Sequence, residues 1–161
     1  MTDPYSTPNA VLSNGEQGFE YVGFWARLLA SIIDSLLVMI AVYPILISYY
    51  GTGYLFRFSL VAGPVDFFVS WVAPAVVVIL FWIYRAATPG KMLIGAKIVD
   101  AQTGQRPNTK QLLIRYVGYY LSTFALCLGF LWIAWDPQKQ GWHDKLAGTV
   151  VVRARGANER K

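Results

Sequence analysis

Charged residues are almost absent from three long stretches of the chain. Residues 28–48 contain a single charge, Asp34, and residues 67–84 and 116–135 contain none. A helix needs about 20 apolar residues to cross the hydrocarbon core of a bilayer, and these stretches lack the alternation of a membrane β-barrel strand. The pattern therefore predicts an all-α membrane protein with three hydrophobic helices.

A short cytoplasmic β element is predicted beside these helices. Residues 92–100 alternate roughly between apolar and polar side chains and lead into a turn at residues 103–104. Residues 149–152 form a second, β-branched run that is also typical of a strand. Neither strand is stable alone. If the two strands pair with each other, both segments lie on the same side of the membrane.

The third hydrophobic segment is compatible with two topologies. Residues 85–115 and the tail from Asp136 onwards each carry six basic residues. The positive-inside rule puts residues 85–115 in the cytoplasm, and with them the N-terminus. A single crossing by residues 116–135 has the expected length but leaves the basic tail outside. A re-entrant segment, or a helical hairpin that breaks near Gly129, keeps the tail inside, and both topologies stay open.

The composition supports a membrane location. Hydrophobic residues make up 55% of the chain and charged residues 14%, whereas soluble domains carry about 25% charged residues. This balance argues against a soluble enzyme and against a nucleic-acid-binding module, so no nucleic-acid partner is expected. The net charge of +5 is interpreted as cytoplasmic loops that face anionic lipid. The predicted location is the cytoplasmic (inner) membrane, with several crossings.

The chain divides into three parts by composition. Residues 1–20 are polar and rich in turn-forming residues, and they predict a flexible N-terminal arm. Residues 21–153 contain the hydrophobic segments and form the predicted membrane domain. Residues 154–161 form a short basic C-terminal tail.

Asp34 is the clearest candidate for chemistry within the hydrophobic segments. Counted from Trp25 at the predicted interface, it lies roughly 13–14 Å deep, near the middle of a core about 30 Å thick. A carboxylate at that depth must face protein or water, and it is a functional candidate by default. It could bind a proton or a cation, or it could fix helix packing by accepting hydrogen bonds from hydroxyl groups. The hydroxyl groups considered are those of Ser31, Ser35, Ser122 and Thr123.

Four further charged residues are candidates for a gate or brace on the cytoplasmic side. Arg27 lies on the same helix face as Asp34, but about 10 Å away along the axis, too far for a direct ion pair. Its partner is therefore expected to be Asp136 or Asp144, if the tail is cytoplasmic. Arg115, at the start of the third segment, is expected to reach towards Asp34. The alternative for each arginine is an anchor at the membrane surface.

The remaining polar motifs give weaker indications. Residues 88–91 lack the glycine spacing of a phosphate-binding loop, so they predict a turn with a lysine that faces lipid headgroups. His143 is the single histidine, so no histidine metal cluster is possible. It is predicted to lie at the surface, with a pH sensor beside Asp144 as the alternative. Cys127 is predicted to be inert packing. No metal, cofactor or enzymatic residue set is expected.

Three motifs resemble those of the RDD family of membrane proteins. They are residues 23–34 (GFWARLLASIID), residues 88–100 (TPGKMLIGAKIVD) and residues 143–152 (HDKLAGTVVV). The resemblance covers about residues 20–153. Each motif alone would be weak, but three in the same order make the resemblance specific.

The resemblance also implies roles for particular residues. The naming residues of the family carry over as Arg27, Asp34 and Asp144, with Asp136 as the less favoured holder of the last place. The family is associated with transport and, for some members, with cation/proton antiport. The resemblance therefore implies a fold more firmly than a substrate.

Two leading hypotheses for function follow, and neither is an enzyme. A third, a membrane enzyme that acts on lipid or polyprenyl phosphate through the basic loop near Lys91, is set aside because the sequence shows no nucleophile or metal set for it. In the first, the protein is transport-associated: Asp34 exchanges a proton for a small cation, and Arg27 and Asp144 act as a gate. Three short helices do not easily enclose a pathway, so this hypothesis needs a homo-oligomer or a partner membrane protein. In the second, the protein is a membrane scaffold or partner subunit whose polar residues fix helix packing.

Overall fold

The computed structural model describes residues 18–57, 59–125 and 127–154 of the chain. Most of the predicted N-terminal arm and basic tail lie outside these residues. The described part is mostly helical and contains a small three-stranded sheet. Helices and a β element are both present, as predicted, although several bounds differ.

Two helices are long and apolar enough to cross a membrane. Helix α1 spans Phe24–Tyr50 and helix α2 spans Pro64–Arg85, and both reach a mean hydropathy of 2.2. Large apolar side chains along both helices are exposed, which indicates an apolar environment rather than water. The first two predicted hydrophobic helices are confirmed, and each is a few residues longer than its apolar run.

The segment after α2 contains a short helix where a turn was predicted. Ala86 adopts a left-handed conformation with φ 53° and ends α2. Helix α3 spans Pro89–Leu93, with proline in its first turn, where a backbone N–H is not needed. Gly95, with φ 68°, then leads into strand β2, Ala96–Asp100. The strand predicted from residue 92 therefore begins later.

The sheet joins three distant parts of the chain. Strand β3 spans Thr149–Ala154 and pairs antiparallel with β2, so that Asp100 lies opposite Thr149. Strand β1, Phe19–Tyr21, pairs antiparallel with the other edge of β3. The pairing that the sequence left open is thus formed. β1 falls at the end of the predicted arm and was not predicted, because three residues show no clear alternation.

The third hydrophobic segment is sharply bent. Helix α4 spans Thr109–Phe124, and helix α5 spans Leu128–Leu131 and continues as a 3-10 turn over Trp132–Ala134. The two parts meet at 112°, and the bend lies before the predicted position, Gly129. Because β2 and β3 pair, the two ends of this segment lie on the same side of the protein. The bent arrangement is compatible with a broken span or with a re-entrant segment.

Helix α6, Trp142–Ala147, packs closely against α4. A Cβ atom on Gly118 would lie 2.8 Å from Cα of His143, so the approach of the two helices depends on glycine. Gly148, with φ 61°, ends α6 and leads directly into β3. These contacts bring α6, the sheet and the first half of α4 together.

Candidate functional site

Asp144 lies between two arginines from different helices. Nη1 of Arg27 donates to Oδ2 of Asp144 at 2.6 Å, and Nη1 of Arg115 donates to Oδ1. The backbone N–H of Gly141 donates to Oδ2 at 2.9 Å. All three charged side chains are buried. Of the two acids considered for Arg27, the structure pairs it with Asp144 and not with Asp136.

Further hydrogen bonds hold the arginines in place. Arg27 lies in the first turn of α1, and its Nε donates to the carbonyl oxygen of Val22 at 2.9 Å. Arg115 lies about two turns into α4, and its Nη1 also donates to Oγ1 of Thr149 at 2.7 Å. Asp144 is the third residue of α6 and caps that helix through its bond to the Gly141 N–H. The network therefore joins α1, α4, α6 and β3.

Burial and charge control the protonation of Asp144 and His143. Burial by itself would raise the pKa of Asp144, but the guanidinium groups of Arg115 and Arg27 outweigh it and hold this pKa well below its ordinary value. Burial lowers the pKa of His143 to about 3, although the Asp144 carboxylate acts in the opposite direction. At neutral pH the carboxylate is charged and the imidazole is neutral.

His143 is a buried residue of the site, so the predicted surface position was wrong. Its side chain is 1% exposed, and its ring stacks on Tyr119 with 4.2 Å between the ring centres. The ring of Phe130 lies 5.1 Å away. The close approach at Gly118 encloses the imidazole between helices. Spacing along the chain did not reveal this contact.

Lys91 is also buried, although the sequence indicated a lysine that faces lipid headgroups. Helix α3 packs against α1, which brings Lys91 into the protein. Its Nζ lies 5.6 Å from the ring centre of Trp82, and the guanidinium carbon of Arg115 lies 5.5 Å from the same ring. Such cation–π contacts are favourable but leave the charge unneutralised. Lys91 forms no ion pair with any described residue.

A cavity of about 410 Å³ is lined by Arg27, Lys91 and Arg115, among other residues. This volume lies in the range of about 300–1,000 Å³ that is typical of small-molecule sites. Arg27, Lys91 and Arg115 form a cationic wall, and most of the remaining lining is aromatic or aliphatic. The remaining lining residues are Phe24, Leu28, Ser31, Tyr119, Cys127, Phe130, Leu131, Ile133 and His143.

The cationic wall has more donors and more positive charge than the protein neutralises. Nη2 of Arg27, and Nε and Nη2 of Arg115, are buried without a hydrogen-bond acceptor among the described residues. Three cationic side chains line the cavity, two of them share the single carboxylate of Asp144, and His143 is neutral. Buried charges without a partner are costly. The cavity is therefore suited to an anion.

Asp34 makes a separate contact, between α1 and the start of α3. Its Oδ2 accepts a hydrogen bond from the hydroxyl of Thr88 at 2.5 Å, and its Oδ1 accepts one from the backbone N–H of Gly90 at 2.7 Å. A Cβ atom on Gly90 would collide with the carbonyl oxygen of Ala30. Asp34 thus fastens α3 to α1 at a point where only glycine fits.

The partners of Asp34 differ from those predicted. Arg115 donates to Asp144 and Thr149, so the prediction that it reaches towards Asp34 was wrong. None of the four hydroxyl groups considered bonds to Asp34 within the described residues. Asp34 also borders a second cavity, of about 310 Å³ between α1 and α2, in which Asp34 and Thr88 are the polar lining residues.

Asp136 braces the loop that precedes α6. Its carboxylate pairs with Lys145 and accepts hydrogen bonds from the backbone N–H groups of Gln138 at 3.1 Å and Gln140 at 3.0 Å. Burial would raise the pKa of Asp136, but Lys145 and the backbone donors hold it below its ordinary value. The alternative that paired Asp136 with Arg27 was therefore wrong.

The sequence analysis did not identify Asp66, a third buried carboxylate, as a candidate. It accepts hydrogen bonds from the hydroxyls of Tyr54 and Ser70 at 2.9 and 2.7 Å and from the backbone N–H of Ala62 at 2.6 Å. Its position near the start of α2 was a possible signal.

Cys127, predicted as inert packing, is exposed and lies at the bend. The described residues contain no cluster of potential metal ligands.

The fold and the network together define a class of protein. It is a small, mostly helical protein with apolar helices of membrane-spanning length and a buried Arg–Asp–Arg network beside a small sheet. This chain belongs to the RDD family, whose family profile matches residues 21–148.

The chain is similar to several bacterial proteins. It is 31% identical to the uncharacterized protein YxaI of Bacillus subtilis, over 81% of this chain and 95% of that protein. It is 29% identical to the uncharacterized membrane protein YteJ of the same organism, over 84% of this chain and 82% of that protein. The uncharacterized protein RP437 of Rickettsia prowazekii is 43% identical, over 47% of this chain and 42% of its own length. No solved structure matches the chain.

Proposed function

We propose that this chain is a multi-pass protein of the cytoplasmic membrane that binds an anion in the cavity lined by Arg27, Lys91 and Arg115. The observation that carries this proposal is the surplus of buried cationic groups, with guanidinium N–H groups that lack an acceptor. A bound anion would supply acceptors and neutralise the charge. Guanidinium groups present paired donors that suit carboxylate and phosphate oxygens.

The orientation in this proposal follows from the sheet. β1, β2 and β3 bring the N-terminal side of α1, the basic segment 85–115 and the described end of the chain, residues 149–154, to one side of the protein. The positive-inside rule supports the cytoplasm for this side. α1 and α2 then cross the membrane, and α4 with α5 forms a re-entrant segment. The two basic segments no longer conflict, since both lie in the cytoplasm.

Cation–proton exchange through Asp34 has less support than anion binding. Both carboxylate oxygens of Asp34 already accept hydrogen bonds, and the cavity beside it is lined mainly by apolar side chains. These contacts fit the alternative in which Asp34 fixes helix packing. Transport of the bound anion would need a second copy or a partner membrane protein, because two long helices and one bent segment do not enclose a pathway.

Thermal unfolding of the purified protein in a non-ionic detergent tests the proposal. A ligand that binds only the folded state raises the unfolding midpoint. Inorganic phosphate at constant ionic strength is expected to raise the midpoint of the wild type but not of Lys91→Gln. Lys91 has no ion-pair partner among the described residues, so this variant should fold at least as stably without ligand. Lys110→Gln, which changes an exposed lysine, is the matched control and should respond like the wild type.

Two outcomes would overturn the proposal. One is that phosphate raises the unfolding midpoints of Lys91→Gln and the wild type equally. The other is that neither phosphate nor the anionic lipids described below stabilise the wild type more than Lys91→Gln. A separate measurement addresses Asp34: the protein is reconstituted in liposomes with an internal pH dye. Proton flux that depends on Na⁺, Li⁺ or K⁺ and is lost in Asp34→Asn would favour the exchange hypothesis instead.

A further inference from the structure

The anion cavity combines two kinds of wall. Arg27, Lys91 and Arg115 contribute buried positive charge, whereas Leu28 and Leu131 are among the apolar residues on the remaining walls. A small inorganic anion would use only the cationic wall. A cavity of about 410 Å³ with both kinds of lining suits a ligand that has an anionic head and an apolar part.

The apolar wall is continuous with the outer surface of the helices. Leu28 on α1 and Leu131 on α5 line the cavity, and each is also 39% exposed. Nearby on the same elements, Trp25 is 77% exposed and Trp132 is 46% exposed. Exposed tryptophans beside apolar helices are typical of the membrane–water interface. A ligand in the cavity therefore has direct access to the acyl chains of the bilayer.

The charge of the cavity selects among anionic heads. Three cationic side chains line it, and the Asp144 carboxylate, which pairs with both arginines, leaves two positive charges in excess. A phosphate monoester carries a charge of about −1.5 to −2 at neutral pH. A carboxylate or a phosphodiester carries a single negative charge and would leave one cation unmatched.

We infer that the ligand is a lipid phosphate monoester taken up from the bilayer. Arg27, Lys91 and Arg115 bind the phosphate group, and the hydrocarbon chain passes Leu28 and Leu131 towards the lipid. This inference rests on the proposed anion-binding function and names the ligand class of the same site.

Mixed micelles of the full-length protein in non-ionic detergent provide the test. The unfolding midpoint is measured against the mole fraction of dioleoyl phosphatidic acid, of phosphatidylglycerol with the same acyl chains, and of phosphatidylcholine. Soluble glycerol 3-phosphate at the same total concentration forms a fourth arm. Phosphatidic acid is expected to stabilise the wild type most, and glycerol 3-phosphate is expected to have little effect at this concentration.

Variants separate the contribution of the phosphate headgroup of the lipid from that of its acyl chains. Lys91→Gln should weaken the apparent affinity for phosphatidic acid about tenfold or more, because a charge-assisted bond to the phosphate is lost. Lys91→Met, which keeps the apolar stem beside Trp82, should behave in the same way. Lys110→Gln should keep the wild-type response. Leu131→Gln should weaken the response to phosphatidic acid but not the response to inorganic phosphate.

The outcomes distinguish failure of this inference from failure of the proposed function. Equal effects of phosphatidic acid and phosphatidylglycerol would overturn the inferred preference for a phosphate monoester over a phosphodiester. Equal apparent affinities for glycerol 3-phosphate and phosphatidic acid would overturn the assignment of the ligand as a lipid, but not the proposal that the cavity binds an anion. If none of the anions stabilises the wild type more than Lys91→Gln, both proposals fail.

Discussion

Asp34 on α1 and Asp144 on α6 are two carboxylates with opposite surroundings. Asp34 accepts one hydroxyl and one backbone N–H, and it forms no ion pair with a described residue. Asp144 is fully buried and accepts hydrogen bonds from two guanidinium groups and a backbone N–H. The first contact joins two helices, whereas the second joins three helices and the sheet.

The difference lies in whether donors and acceptors balance. Each carboxylate oxygen of Asp34 accepts one hydrogen bond, so both oxygens and both donor groups are satisfied. At Asp144 the carboxylate is satisfied, but the arginines beside it retain buried N–H groups without acceptors. Buried polar networks that are only partly satisfied are costly unless something else completes them. This difference is the reason why we propose a packing role for the contact at Asp34 and ligand binding beside Asp144.

Asp144→Asn is expected to have the largest effect on stability. The amide keeps the size of the side chain but leaves two buried arginines without their counter-charge, which should cost about 3–5 kcal/mol. Unfolding in detergent, by heat or denaturant, measures the loss. The double variant Asp144→Asn with Arg115→Gln should recover part of it, because one unpaired cation is removed. A loss below about 1 kcal/mol, the level of an exposed pair, would contradict the central role of Asp144.

Acidification tests the buried state of His143. Its pKa is lowered to about 3 in the folded protein, from 6.5 without burial, so the unfolded chain binds the proton first. Stability should therefore fall as the pH drops from about 6.5 towards 3, by about 1.4 kcal/mol per pH unit. The lowered pKa of Asp144 adds a further loss only below about 3.8.

The control for this pH dependence is His143→Phe, which keeps an aromatic ring beside Tyr119 and removes the titrating group. Its stability should be nearly constant between about pH 6.5 and pH 5. Unfolding midpoints measured across this window provide the comparison. A variant that retains the wild-type slope would show that His143 is not responsible.

Gly90→Ala tests the close contact at Asp34. The added Cβ would collide with the carbonyl oxygen of Ala30, and the backbone of α3 would have to move. Overpacking of this kind costs about 1–3 kcal/mol. Gly53→Ala is the matched control, since a Cβ there meets nothing within 4 Å. Similar unfolding midpoints for the two variants would argue against a tight junction between α3 and α1.

Asp34→Asn is expected to have the smallest effect. The amide oxygen can still accept the backbone N–H of Gly90, so the loss should be about 1 kcal/mol, as for a single hydrogen bond. The stabilisation by phosphate should remain, because Asp34 does not line the anion cavity. A loss as large as that of Asp144→Asn would contradict the difference between the two carboxylates, because both would then contribute equally to stability.

Local patterns predicted the long helices well. α1 and α2 are recognisable because each consists of an uninterrupted apolar run, a property that needs no knowledge of neighbours. The third segment has the same uncharged length, yet it bends between Phe124 and Leu128. The pairing of β2 with β3 brings its two ends together, and that pairing links residues about fifty positions or more apart in the chain.

The candidate site was predictable only in part. Arg27 and Asp144 stood out as charges beside apolar segments and in motifs that resemble a known family. The burial of Lys91 and His143 depends on close approaches at Gly90 and Gly118. A glycine in the sequence does not disclose which backbone passes beside it.

The sequence by itself determined the two long apolar helices and the excess of basic charge in the segments outside them. These features follow from the free energy of transferring each segment into lipid, which is nearly additive along a helix. The tertiary structure alone decided which charges meet and which donors remain without acceptors. Those properties depend on distances between residues far apart in the chain, because electrostatic and hydrogen-bond energies are set by geometry in a buried environment.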